Sequence, residues 1–209
     1  CWTCLDQLAE IVGGITKGQK RRKDEATRAV PYLRVANVQR GYLDLSEIKS
    51  IEATEDEINE LRLVAGDVLF NEGGDRDKLG RGWVWEGQIL ECIHQNHVFR
   101  SRMINSNVLP KFVSIHGSTF GRAWFQQAGK QSVNLASINM GILKRFPVPL
   151  APAREQAVAI SLVDQQLSVL DQGSSIVERE ELRADRLRQA ILKRAFEGKL
   201  VPQDGKDEP

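Results

Sequence analysis

Val163, Leu170, Val177, Ala184 and Ile191 recur at a strict seven-residue interval in the last quarter of the chain. Ile160 and Leu167 lie beside the early part of this stripe, and Leu187 beside the late part. Such spacing keeps returning to one face of a helix and marks a coiled-coil seam. Between Arg154 and Phe196 there is no proline, and Glu, Arg, Gln, Ala and Leu predominate, so a single helix is predicted over the segment. At about 1.5 Å per residue it would run roughly 60 Å. A monomer would leave the seam in water, so the helix requires a partner. It follows a proline-rich joint, Phe146-Pro147-Val148-Pro149-Leu150-Ala151-Pro152.

The 209 residues divide accordingly into a domain over 1–150, a helix over 151–200 and a flexible tail over 201–209. About 150 residues suffice for a single core. Apolar and charged contents of 41% and 27% are those of ordinary soluble chains. The net charge of +1 decides nothing, but its distribution is uneven. Lys17, Lys20, Arg21, Arg22 and Lys23 form a basic run, whereas Ser46 to Glu60 is acidic, so the surface is expected to be divided by sign. No stretch approaches the roughly 18 consecutive apolar residues of a membrane span. No signal peptide is recognisable, and a first residue of Cys1 suits a fragment or one half of a longer polypeptide. Three cysteines, an odd count, suit the reducing cytoplasm.

Along the first 150 residues, strands and helices mix without regular alternation, which predicts an α+β (irregular α/β) fold. Leu5 to Ile11 reads as a short helix closed by Gly13-Gly14, and Pro31 to Val38 as a buried strand before a turn at Arg40-Gly41-Tyr42. Thr54 and Glu57 form a capping box ahead of a helix over Glu55 to Leu61. Gly66 to Phe70 predicts a strand, with Gly66-Asp67 as turn support, and a glycine-rich charged loop follows. Trp83 to Trp85 and Ile89 to Ile93 suggest a hairpin, and His97 to Ile104 another strand. Pro110 to Ala128 has the spacing of one helix, ended by Gly129, and Ser132 to Leu143 reads as a polar loop with a short helical turn.

Enzyme motifs are missing: there is no GxGxxG after a strand, no GxxxxGK[ST] and no HExxH. Asp67, Glu72, Asp75, Asp77 and Glu86 could be assembled into a nuclease-like cluster, but they read as solvated loop charge. Cys1, Cys4, Cys92, His94 and His97 are zinc-ligand types, yet only one pair has CxxC spacing and Cys92 reads as a core residue. Nucleic-acid binding fits better. The loops after Gly14 and Gly73 carry Lys17, Lys20, Arg21, Arg22, Lys23, Arg76, Lys78 and Arg81, which can neutralise phosphates. Gln95, Asn96, His97, Arg100 and Arg102, with Lys130, Gln131, Ser132 and Asn134, are side chains able to contact phosphates or base edges.

Five segments carry a resemblance over nearly the whole chain: PYLRVANVQRGYLDLSEI, LRLVAGDVLFNEGG, CIHQNHVFRSR, INMGILKRFPVPLAPAREQ and LRQAILKRAFEGKLVPQD. In this order they resemble the DNA-specificity (S) subunit of type I restriction–modification systems. The last two are the most specific, a recognition domain running through a proline-rich joint into a long helix. The resemblance implies a target recognition domain that reads one half of a bipartite double-stranded DNA target through the major groove. It also implies a spacer helix that docks DNA methyltransferase (M) subunits, and a place beside restriction (R) subunits. Catalysis and AdoMet would belong to the partners, and the chain itself would be non-catalytic, with no cofactor of its own. Full-length members have two recognition domains and two antiparallel helices. Here there is one of each, so the partner of the seam is either the missing half or a second copy of this chain, giving a dimer. The other class compatible with the heptads is a protein–protein scaffold whose helix is the working part and which does not read DNA.

Overall fold

The computed structural model describes residues 1–18, 25–74, 79–131 and 136–200, without the side chains of 130, 131 and 136. The chain divides into two units, Cys1–Ile160 and Ser161–Pro209. In the first, β1 (Trp2–Cys4) leads through a 3-10 turn (Leu5–Gln7) to β2 (Ala9–Val12), β3 (Arg28–Leu33), β4 (Lys49–Ala53) and α1 (Glu55–Leu61). Next come β5 (Val68–Asn71), β6 (Gly73–Gly74), β7 (Gly82–Val84), β8 (Ile93–His94) and β9 (Val98–Met103). α2 (Pro110–Ser118), α3 (Phe120–Ala128), β10 (Lys130–Gln131), β11 (Ala136–Ser137), α4 (Met140–Lys144) and β12 (Pro147–Pro149) complete the unit, and α5 (Ala153–Phe196) follows. This is the expected α+β domain continued by a long helix.

The central sheet has the order β2-β9-β5-β7 and is antiparallel throughout. Both of its faces are covered, which is why all four residues of β5 are buried and its sequence, VLFN, does not alternate. Val68, Phe70, Phe99 and Ile11 enter one core with Phe125, Leu143 and Phe146. Leu69 and Val98 enter another with Leu33, Trp85 and Cys92. A second sheet, β4-β3-β8, packs with α1 through Val30, Tyr32, Ile58 and Ile93.

Local signals hold where their partners are close in sequence. The Thr54 hydroxyl accepts from Glu57 N and the Glu57 carboxylate accepts from Thr54 N, so the capping box starts α1 at the expected residue. Gly41 takes a φ of +86°, as the turn there requires. Asp67 is fully buried beneath the Gly66 turn, where its carboxylate accepts from Val64 N at 2.8 Å.

Four expectations are corrected. Leu5 to Ile11 is not one helix: Leu5–Gln7 make a single 3-10 turn, and Ala9 and Ile11 are buried and Glu10 exposed in a strand paired with β9. The Trp83–Ile93 hairpin does not form: β7 pairs with β5, and β8 instead runs parallel to β3. Leu90, within the supposed second strand, is 98% exposed. The single helix over Pro110 to Ala128 is two. At Thr119 the backbone turns to ψ −86°, and the Thr119 hydroxyl donates back to Ile115 O at 2.9 Å. Fourth, the strand expected over Pro31 to Val38 runs over Arg28–Leu33 instead, and the chain turns before Val38.

Candidate nucleic-acid interface

Strand register places several loops at one end of the central sheet. Val12 ends β2 opposite Arg100, Asn71 ends β5 opposite Val98, and Gly82 opens β7 opposite Phe70. The turn Gln95-Asn96-His97 between β8 and β9 lies at this end, and its backbone is tied on every side. Gln95 N donates to Leu33 O, Asn96 N to Ile15 O and Val98 N to Gln95 O, at 2.8 to 2.9 Å. Ile15 N donates to His94 O at 2.8 Å, and Glu72 N to His97 O at 2.9 Å. Glu72 O in turn accepts from Ile138 N at 2.7 Å. The loops that begin after β2 and β5 and the β11–α4 connection therefore meet on one fixed turn.

Gly14 is what lets the first of these loops pass so close. A methyl group placed on it would lie 1.9 Å from His94 O, closer than any side chain tolerates. On the other flank, Asn37 is buried and organises the segment after β3. Its Oδ1 accepts from Arg34 N, and its Nδ2 donates to Asp44 O and Glu47 O. The Asn71 amide donates to Val35 O and Val38 O, and Gly41 N donates to Gly82 O, which brings this segment to the same end.

The sequence-selected side chains are distributed unevenly. Lys17 is exposed, Gln95 and Asn96 are half-buried, and His97 is exposed with Nδ1 bonded to a Glu72 carboxylate oxygen. Arg81 is half-buried and donates to Val35 O at 3.2 Å. Lys20, Arg21, Arg22, Lys23, Arg76, Lys78, Ser132 and Asn134 lie outside the described residues, and Lys130 and Gln131 are described in backbone only, as β10.

Two selections are corrected. Arg100 is 3% exposed, and its guanidinium donates to Glu60 O and Arg62 O, satisfying carbonyls at the C-terminal end of α1. Arg102 forms a two-pronged pair with Asp67, at 2.8 and 2.9 Å, at the opposite end of β9 from the turn. Both are structural. Sequence reasoning missed Glu72, Asn37 and Asn71. Glu72 reads in sequence as solvated charge, yet its side chain is 29% exposed and its backbone is pinned on both sides.

Cys1 and Cys4 are exposed and Cys92 is buried, where burial pushes its thiol up to about 12. His94 is buried, donates from Nδ1 to Val98 O at 2.6 Å, and is pushed down to about 4 by that burial, so it is neutral at pH 7. Among the described residues no group of three or more His, Cys, Asp or Glu side chains could hold a metal ion, and no helix is long and apolar enough to cross a membrane.

On α5 the heptad positions are uncovered. Ile160 and Val163 are half-buried, whereas Leu167, Leu170, Val177, Ala184, Leu187 and Ile191 are exposed. Leu162, Val169 and Ile176 form a second exposed apolar row, also at seven-residue spacing, next to the first.

The fold, sheets with helices followed by a long C-terminal helix, is similar to that of type I specificity (HsdS) subunits. It covers 96% of this chain and 46% of a chain from a structure of the type I R-M system, at TM-score 0.69 and 19% identity. The HsdS subunit from Thermoanaerobacter tengcongensis matches at TM-score 0.54 and 19% identity over 96% of this chain and 45% of its own.

In sequence, the chain is 27% identical over 199 residues to the EcoKI specificity subunit of Escherichia coli (strain K12), covering 92% of this chain and 42% of that protein. The putative MjaX specificity subunit of Methanocaldococcus jannaschii is 24% identical, over 72% of this chain and 36% of its own length. The StySPI specificity subunit of Salmonella potsdam is 24% identical over 94% and 42%. The chain thus resembles type I restriction enzyme specificity subunits in sequence and in fold, and spans less than half the length of the curated relatives it matches. No protein-family model matches it.

Proposed function

We propose that this chain is a sequence-specific DNA recognition unit of a type I restriction–modification complex, reading one half of a bipartite target. The observation that carries the proposal is the convergence of the loops after β2 and β5 on the fixed Gln95-Asn96-His97 turn, with the segment after β3 held to the same sheet end by Asn71. A reading surface needs side chains of base-edge and phosphate chemistry on backbone that does not reorganise on binding. Gln95, Asn96 and His97 stand on such backbone, and Lys17 lies on the adjoining loop.

On this reading α5 is the spacer. Its exposed seam takes either a second copy of this chain or the helix of another half-subunit, because each leucine-sized side chain left in water forgoes about 1.5–3 kcal/mol of burial. The same helix docks methyltransferase subunits, which bind AdoMet and carry the methylation in the cytoplasm, and restriction subunits carry any cleavage.

The test is an enrichment of duplexes from a random pool by the chain, with and without methyltransferase subunits. Recovery of a defined set of bases is expected. A pool that stays random while the methyltransferase subunits bind would leave only the scaffold role of the helix.

A further inference from the structure

A carboxylate on a surface that meets phosphates costs affinity unless it has a task. Glu72 is held more firmly than a solvated loop charge needs to be. Its N–H donates to His97 O, its carbonyl accepts from Ile138 N, and its carboxylate is paired with His97 Nδ1. The pair stands at the end of β5, beside the turn that carries Gln95 and Asn96. Among the described residues, the second carboxylate oxygen, Oε1, has no hydrogen-bond partner.

We propose that Glu72 is a specificity-determining residue that accepts a hydrogen bond from the exocyclic amino group of a target base, with His97 holding its carboxylate in place. The inference rests on the DNA-reading function proposed above. An ionised carboxylate only accepts hydrogen bonds. In the major groove, cytosine offers an N4 amino group and adenine an N6 amino group, whereas guanine presents N7 and O6 and thymine O4 and a methyl, with no donor. Glu72 therefore admits an amino base and rejects a keto base at one position of one strand. His97, bonded through Nδ1 to one carboxylate oxygen, fixes the direction in which the other can accept.

The experiment repeats the random-duplex enrichment with wild type, Glu72→Gln and Glu72→Asp, each first checked for an unchanged Tm. Wild type is expected to fix cytosine or adenine at one position of its half-site, and the recovered base says which. Glu72→Gln, which can also donate, is expected to admit guanine or thymine at that position alone and to lose about 10-fold or more on the original duplex. Glu72→Asp keeps the charge, shortens the reach, and is expected to lose affinity at the same position. The same motif from all three proteins, or an equal change at every position, overturns the assignment while leaving DNA reading intact. A wild-type pool without any motif overturns both.

Discussion

Gln156 joins the first turn of α5 to the rest of its unit. Its side chain is 2% exposed and makes three hydrogen bonds to backbone: Oε1 accepts from Leu109 N at 2.8 Å, and Nε2 donates to Asn107 O at 3.0 Å and Ala151 O at 2.7 Å. Leu109 is the N-cap of α2, whose own side chain supplies no cap, so the glutamine ties the starts of two helices together. Gln156→Leu keeps the approximate volume and removes all three bonds. A hydrogen bond contributes about 0.5–1.5 kcal/mol net, and a buried group left without a partner costs about 1–3 kcal/mol. Asn107 is exposed and Ala151 half-buried, so water can replace part of what their carbonyls lose. The expected loss is therefore about 2–4 kcal/mol. All four tryptophans, Trp2, Trp83, Trp85 and Trp124, lie within Cys1–Ile160, so urea unfolding followed by tryptophan fluorescence reports on this unit. Gln172→Leu, on an exposed position of α5, is the control and should move the curve by less than about 0.5 kcal/mol. If Gln156→Leu is indistinguishable from that control, the side chain does not tie α5 to the α2 cap.

Three further perturbations test other parts of the structure. Gly14→Ala should weaken duplex binding about 10-fold or more and also lower Tm, because the 1.9 Å approach to His94 O must open and the Ile15–His94 and Asn96–Ile15 bonds are lost; unchanged affinity would remove that loop from the interface. The His94 imidazole falls from 6.5 to about 4 on folding, so the unfolded chain takes up the proton first as pH drops. Stability should then be intact above pH 6.5 and fall by on the order of 3 kcal/mol as pH drops to about 4, and His94→Gln should flatten that slope in urea titrations across the window. Leu170 is 65% exposed on the seam, and Leu170→Asp should convert a self-associated chain to monomer by light scattering at micromolar concentration; no change of mass would mean the seam is not the contact.

What could be read from sequence follows the range of the forces involved. The capping box, the Gly41 turn and α5 depend on residues within one or two turns of each other, and they appear where expected. β2 and β8 are chosen by distant partners, β9 and β3, which no local pattern displays. Arg100 shows why the candidate interface is only partly legible in sequence. In a strand with an exposed face, an arginine two residues from Val98 would suggest a solvent-facing row. In this sheet both faces are covered, so the same alternation points Arg100 into the interior, over the carbonyls ending α1. The one available hint was that the Glu55–Leu61 helix ends at Arg62 without a glycine cap and so needs donors from elsewhere. Glu72 is the converse case: its loop looks solvated in sequence, and only tertiary pairing shows it pinned to His97 and Ile138.

The central claim is that the loop end of this domain reads DNA and α5 sets the distance to a second reading domain. Mapping the methylated bases in DNA exposed to this chain together with its methyltransferase subunits tests it most directly. Methylation is expected within a split motif, two short fixed half-sites separated by unspecified bases, and an inverted repeat if a second copy of the chain supplies the other half. Methylation at a single contiguous motif, or at positions unrelated to sequence, would contradict it.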